Sequence, residues 1–260
     1  MSQGDHQAAG NGQLIPQRLA ELAGELSEAQ DESRRRRIAR QITGLAGRTG
    51  AATRRSVQLS RAATHRTRRG GQWLTAQVLD MAPRVPIRGY VTLRQQYPGL
   101  AAEQIADRLI ASAARASAGI GAAVGVAAAV PFIPTAPLEL GVETLALVAI
   151  ELKLIAELHE VYEMPAPGTA AQRMLAYTGA WAERRGVRLT SSGLAIAVGS
   201  PLRRKLERRL LVKAGQGTLA LAPLLTGAVA GALIDHHETH RLGTQVRDDL
   251  RSRGQALARG

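Results

Sequence analysis

The sequence predicts an all-α fold, a helical bundle with a small-residue apolar helical hairpin and a basic N-terminal helical region. Three observations carry this prediction. Apolar residues recur at helical spacing in segment after segment, whereas no run alternates polar and apolar residues as a half-buried strand does. Apolar residues make up 45% of the 260-residue chain but aromatics only 3%, so the core is built from Ala, Leu, Val and Ile, which suits closely spaced helices. Pro and Gly clusters such as Pro98-Gly99 and Pro165-Ala166-Pro167-Gly168 punctuate the chain between the periodic segments.

Residues 1–13 are polar and glycine-rich and read as a disordered N-terminus. Residues 14–71 read as a basic amphipathic helical region. In it Ile15, Leu19, Leu22 and Leu26 recur at helical spacing, Glu21, Glu25 and Glu28 surround them, and Pro16 is acceptable in a first turn. The stretch from Arg34 to Arg69 then collects Arg34, Arg35, Arg36, Arg37, Arg40, Arg54 and Arg55 among other arginines, with no acidic residue within it. Gly70-Gly71 marks a soft boundary, and residues 72–260 read as a second helical domain.

Within that domain Glu103 to Arg115 is a helix with Ile105, Leu109 and Ile110 inward, running into a small-residue stretch, Ala116 to Ile133. The turn PFIPTAP leads to a second apolar helix, Leu138 to Leu158, and the two form an antiparallel hairpin. Glu139, Glu143, Glu151 and Lys153 on the second arm fall within about half of its circumference, which predicts one polar face or ion pairing with nearby Arg. Ala170 to Arg185 follows as a helix with Met174, Leu175, Tyr177 and Trp181 on one core face. Beyond it lie an apolar patch, Leu194 to Val198, a charged amphipathic helix over Leu202 to Val212, the uncharged stretch Thr218 to Ile234, and a polar helical tail.

Composition excludes several kinds of function. Cysteine is absent, so no disulfide, thiolate metal site or cysteine nucleophile exists. With aromatics at only 3% and Phe132 the only phenylalanine, the composition argues against base-stacking platforms for single-stranded nucleic acid. The formal charge of +13 comes almost wholly from Arg, and such a surface seeks anions: nucleic-acid phosphate, lipid head groups or acidic proteins. The opening residues MSQGDHQAAGNGQ lack a secretory pattern, so the expected location is cytoplasmic.

Two apolar stretches approach the roughly 20 residues that span a bilayer. The second hairpin arm carries charges, however, and every flank is basic, so the expectation is that no segment fully crosses. Both stretches hold a Gly-x-x-x-Gly spacing, Gly121 with Gly125 and Gly227 with Gly231, where two helices can pack closely.

The runs SAGIGAAVGVAAAVPFIP, LELGVETLALVAIELKLIAELHEVY and LAPLLTGAVAGALIDHHETHRLG, in that order, resemble the EcsC family of bacterial proteins over about residues 100–250. Tyr162 and the Pro223-to-Gly231 helix take the corresponding positions. The chain departs from the pattern at Glu163, where a Gly often follows the tyrosine. The resemblance implies a helical, membrane-associated bacterial protein and brings no catalytic residues with it.

Possible chemistry is sparse. His236 and His240 share a helix face at a spacing that suits a metal, but His-Glu-x-x-His fails after His237-Glu238, where Arg241 stands, and after His159-Glu160, where Glu163 stands. No phosphate loop or serine hydrolase signature occurs, and neither a cofactor nor a small-molecule substrate is implied. The expected role is therefore non-enzymatic: interaction or structure at the inner face of a bacterial membrane, peripheral to or partly inserted in it. Anionic lipid is the expected partner, and a second copy or another membrane protein is a further candidate. The alternative is a nucleic-acid-associated protein using Arg34 to Arg69.

Overall fold

The structure, a computed structural model, describes residues 3–53, 75–127, 136–185, 187–190, 193–196 and 222–259. Helix α1 spans Gln3–Glu28 and α2 spans Glu32–Thr53. Residues 3–13, expected to be disordered, are the first turns of α1, and Pro16 consequently lies inside the helix. Once Leu19, Leu22 and Leu26 dock, extending the helix backwards adds one backbone bond per residue without a new nucleation cost. Asp31 starts α2: its carboxylate accepts from the backbone N–H of Ser33 at 3.2 Å and of Arg34 at 3.0 Å. Hydrogen bonds from Ser33 and then Arg34 hold that carboxyl below the usual range.

Residues 75–81 are helical and run into a 3₁₀ turn, Ala82–Arg84. Short α3 covers Tyr90–Gln96, and the long helices α4, Ala102–Ala127, and α5, Ala136–Val161, follow. Helix α6, Ala170–Arg184, opens with a capping box in which Thr169 and Gln172 satisfy each other's backbone N–H. After it Val187–Thr190 and Gly193–Ile196 form a two-stranded antiparallel hairpin, β1 and β2, with Val187 opposite Ile196. No alternation announced these strands, because four residues are too few to show a period. The expected helix over 202–212 lies outside the described residues. Helix α7 is a single 36-residue element, Ala222–Leu257, joining the end of the uncharged stretch to the polar tail.

The all-α bundle is organised around α4, α5 and α7. Helices α4 and α7 run antiparallel along their lengths: Gly121 meets Gly231, Ser117 Oγ sits 2.8 Å from Thr239 Oγ1, and Asp107 pairs with Arg247 at 2.6 Å. Helices α4 and α5 are antiparallel too, since Ser117 and Glu151 both lie near Thr239 while Ile110 and Leu154 both press on Gly243. Leu19, Leu22, Ile38 and Ile42 of α1 and α2 belong to the same core cluster as Ile105, Leu145 and Leu242. The boundary drawn near Gly71 therefore does not divide two cores.

Helix α5 is buried without a break from Val148 to Leu158. Among its described side chains, from Val142 to Leu158, no solvated polar face occurs, contrary to one of the two sequence readings: Glu143, Glu151, Lys153 and Glu157 are all buried, while the surroundings of Glu139 lie outside the described residues. On α6, Met174, Tyr177 and Trp181 point inward as expected, but Leu175 is 50% exposed, because it lies one residue, about 100°, off the line the other three share.

Helix α5 ends in a Schellman turn. Met164 N–H donates to His159 O at 2.9 Å and Glu163 N–H to Glu160 O at 3.1 Å. This places Glu163 at φ 55°, a left-handed conformation that favours Gly, and it is the position where the chain departs from the EcsC-like pattern. Glu163→Gly relieves that strain, so thermal unfolding of the variant is expected to shift upward by about 2–4 °C, the equivalent of roughly 1 kcal/mol in a chain of this size. An unchanged or lower midpoint would show that the turn carries no strain.

Candidate functional site

The three charges at the centre of α5 face two ways, because 100° per residue puts Lys153 and Glu157 on one side and Glu151 on the other. Lys153 is 1% exposed. Its Nζ donates to Glu157 at 2.7 Å, to Glu28 at 2.9 Å and to Pro86 O at 2.6 Å. Arg88 completes the group by a fork onto Glu157, Nε at 2.8 Å and Nη2 at 2.6 Å, while its own backbone N–H also donates to Glu157 at 3.1 Å. Two cations thus meet two carboxylates, Glu157 in the interior and Glu28 at its exposed edge. Burial alone would raise the Glu157 carboxyl, yet the Arg88 hydrogen bonds and the Lys153 charge hold it below the usual carboxylate range. Gly24 makes the approach possible, since a Cβ there would stand 2.5 Å from Pro86 Cγ, the residue whose carbonyl caps Lys153.

On the opposite side Glu151 accepts from Trp181 Nε1 at 2.7 Å and from Arg185, whose Nε lies at 3.2 Å and whose Nη2 also reaches the carboxylate. Arg185 Nη1 extends to Glu238 of α7 at 2.8 Å. Thr239 Oγ1 sits 3.2 Å from Glu151, so the helices α5, α6 and α7 are joined through one carboxylate. Arg88 and Arg185 were not singled out in the sequence. The signal that finds them is charge balance: an interior helix with three buried carboxylates, Glu143, Glu151 and Glu157, and one Lys needs cations from elsewhere.

The expected anion-binding arginines lie on α2. Ile38, Ala39 and Ile42 face the core, and Arg34, Arg36, Arg37 and Arg40 are exposed. Glu32 engages Arg35 at 2.9 Å and Arg36 at 3.1 Å. Among the described residues no ion pair engages Arg34, Arg37 or Arg40, and Arg40 Nε donates to Arg36 O at 3.3 Å. Arg54 and Arg55 lie outside the described residues.

Of the four packing glycines the structure brings Gly121 and Gly231 face to face. A Cβ on Gly121 would stand 2.7 Å from Gly231 O and would also strike Asp235; one on Gly231 would stand 2.9 Å from Gly121 O. Side chains larger than hydrogen would push α4 and α7 apart here. Gly125 and Gly227 are on the same two helices, but their surroundings lie outside the described residues. The His236 and His240 rings stack with centroids 6.1 Å apart, and among the described residues no group of three or more His, Cys, Asp or Glu is placed to hold a metal ion. Also among the described residues, no helix is long and apolar enough to cross a membrane.

Burial pushes the His159 imidazole below its ordinary value, and the charges of Arg253 and Arg184 add to this against a 2.8 Å hydrogen bond with Ile155 O. The folded chain then binds fewer protons than the unfolded one below about pH 6.5, so stability falls as pH drops through that window. Glu157 adds a second loss below about pH 4.5 by the same sign. Urea unfolding at a series of pH values is expected to show both phases, with His159→Gln flattening the upper one; an unaltered upper phase would place its origin elsewhere. Arg185→Met leaves Glu151 buried without its cation and is expected to cost about 3–5 kcal/mol, most of it recovered when Glu151→Gln is added. A loss under about 1 kcal/mol in the single variant would mean that water reaches the pair.

No protein-family model, no curated protein and no solved structure matches this chain.

Proposed function

We propose that the protein is a non-enzymatic helical bundle that associates peripherally with the anionic inner face of a bacterial membrane, in an interaction or structural role. The observation that carries this reading is the outer face of α2. Four arginines stand exposed on it within two turns, Arg34, Arg36, Arg37 and Arg40, and of these only Arg36 is engaged by Glu32. Each cation near such a surface contributes about 1 kcal/mol. The EcsC-like order of parts and the chain's +13 charge support the same reading.

Residues of α1 and α2 supply core side chains, so deleting them would break the bundle rather than test capture. Substitution of exposed groups leaves the core intact. Full-length protein is expected to pellet with phosphatidylglycerol vesicles and not with phosphatidylcholine, and the Arg34→Gln/Arg37→Gln/Arg40→Gln variant to bind about two orders of magnitude more weakly. Excess nonspecific duplex DNA distinguishes the other anion: if it abolishes pelleting and itself binds tightly, the arginines serve nucleic acid and the membrane reading falls.

A further inference from the structure

Two exposed apolar side chains of α7 lie one turn apart in its N-terminal half, away from the exposed Leu257 at its end. Val229 is 56% and Leu233 64% exposed, and His236 and His240 continue the same line at successive offsets of four, three and four residues. Such offsets place all four side chains on one stripe of the helix. The carboxylates of this part of α7 are turned away from that stripe. Asp235 is buried at the Gly121 crossing, and Glu238 binds Arg185.

The charged and titratable neighbours of His236 are His240, Arg115 of α4 and His237, all cationic when protonated. From α5, Glu151 meets α7 on its inner side at Thr239 and is neutralised by Arg185 of the α6 terminus. Asp107 and Glu103 of α4 lie further along, against Arg247 and Arg251. The outward stripe therefore joins two apolar side chains to groups that become only more positive in acid.

We propose that the Val229, Leu233, His236 and His240 stripe of α7 is the face laid on an anionic lipid surface, and that protonating its histidines tightens the contact. The proposal rests on the membrane reading above and adds to it a face and an acid dependence. Val229 and Leu233 enter the head-group and acyl boundary, as the apolar side of an interfacial helix does, while the imidazolium groups and Arg115 sit at phosphate level. Burial and the neighbouring cations hold His236 below its ordinary value, so His236 is uncharged at neutral pH and gains charge below it.

The test is pelleting with phosphatidylglycerol vesicles, whose phosphodiester stays ionised throughout, at about pH 7.5 and about pH 5.5, on either side of the imidazole range. Wild type is expected to bind about fivefold tighter or more in acid, the equivalent of one added surface charge. His236→Gln/His240→Gln is expected to lose that gain while keeping the neutral-pH affinity. Val229→Ser/Leu233→Ser, folded because both side chains are already exposed, is expected to bind about tenfold weaker or less well still at both values. Wild-type binding with no acid dependence, or serine and glutamine variants that match wild type, overturns the stripe and leaves the membrane reading standing. No wild-type binding at either value overturns both.

Discussion

Burying three charges in the middle of one helix constrains most of this structure. Glu151, Lys153 and Glu157 lie on α5 where it is enclosed on every side, and an ion left unpaired there would cost several kcal/mol. The surrounding elements are arranged so that this never happens. The segment that carries Pro86 and Arg88 crosses α1 at Gly24 and delivers a carbonyl and a guanidinium to one side of α5. The end of α6 delivers Arg185 to the other. Glu160, one turn beyond Glu157, accepts from the Tyr90 N–H at 3.3 Å and so fixes the start of α3 on the same helix.

Such pairs add little net stability compared with well-packed apolar residues, because desolvation offsets much of the attraction. Their effect here is on arrangement. An Ala- and Leu-rich helix can be covered in many similar rotations, whereas one with an anion on one side and an ammonium on the other accepts a single orientation against its neighbours. The close crossing of α4 and α7 at Gly121 and Gly231 acts in the same direction, since only that register lets the two backbones meet without a side chain between them.

The arginines divide by surroundings. Arg88 and Arg185 are spent on interior carboxylates, and their guanidinium forks suit bidentate pairing. Those of α2 project into solvent from a helix whose other side is core, which leaves them available to an external anion. The same contrast holds for the acids in the first half of α7, where Asp235 and Glu238 turn inward and the outward line keeps apolar and histidine side chains.

Read alone, the sequence determined the helical class, the antiparallel order of α4 and α5, the inward faces of Ile105, Leu109 and Ile110, and the outward arginines of α2. These follow from local periodicity and from the cost of burying an isolated guanidinium. Four-residue strands after α6, the helical start at Gln3 and the left-handed Glu163 were not legible, since each is too short or too context-dependent to leave a period. The tertiary structure alone decided that the charges of α5 are interior, that Arg88 and Arg185 are their counterions, and that Gly121 meets Gly231. The reason is physical: a residue's spacing along a helix gives its angle, but which angle is buried depends on how many neighbours surround that helix, and partners 34 or 69 positions apart leave no mark on either segment.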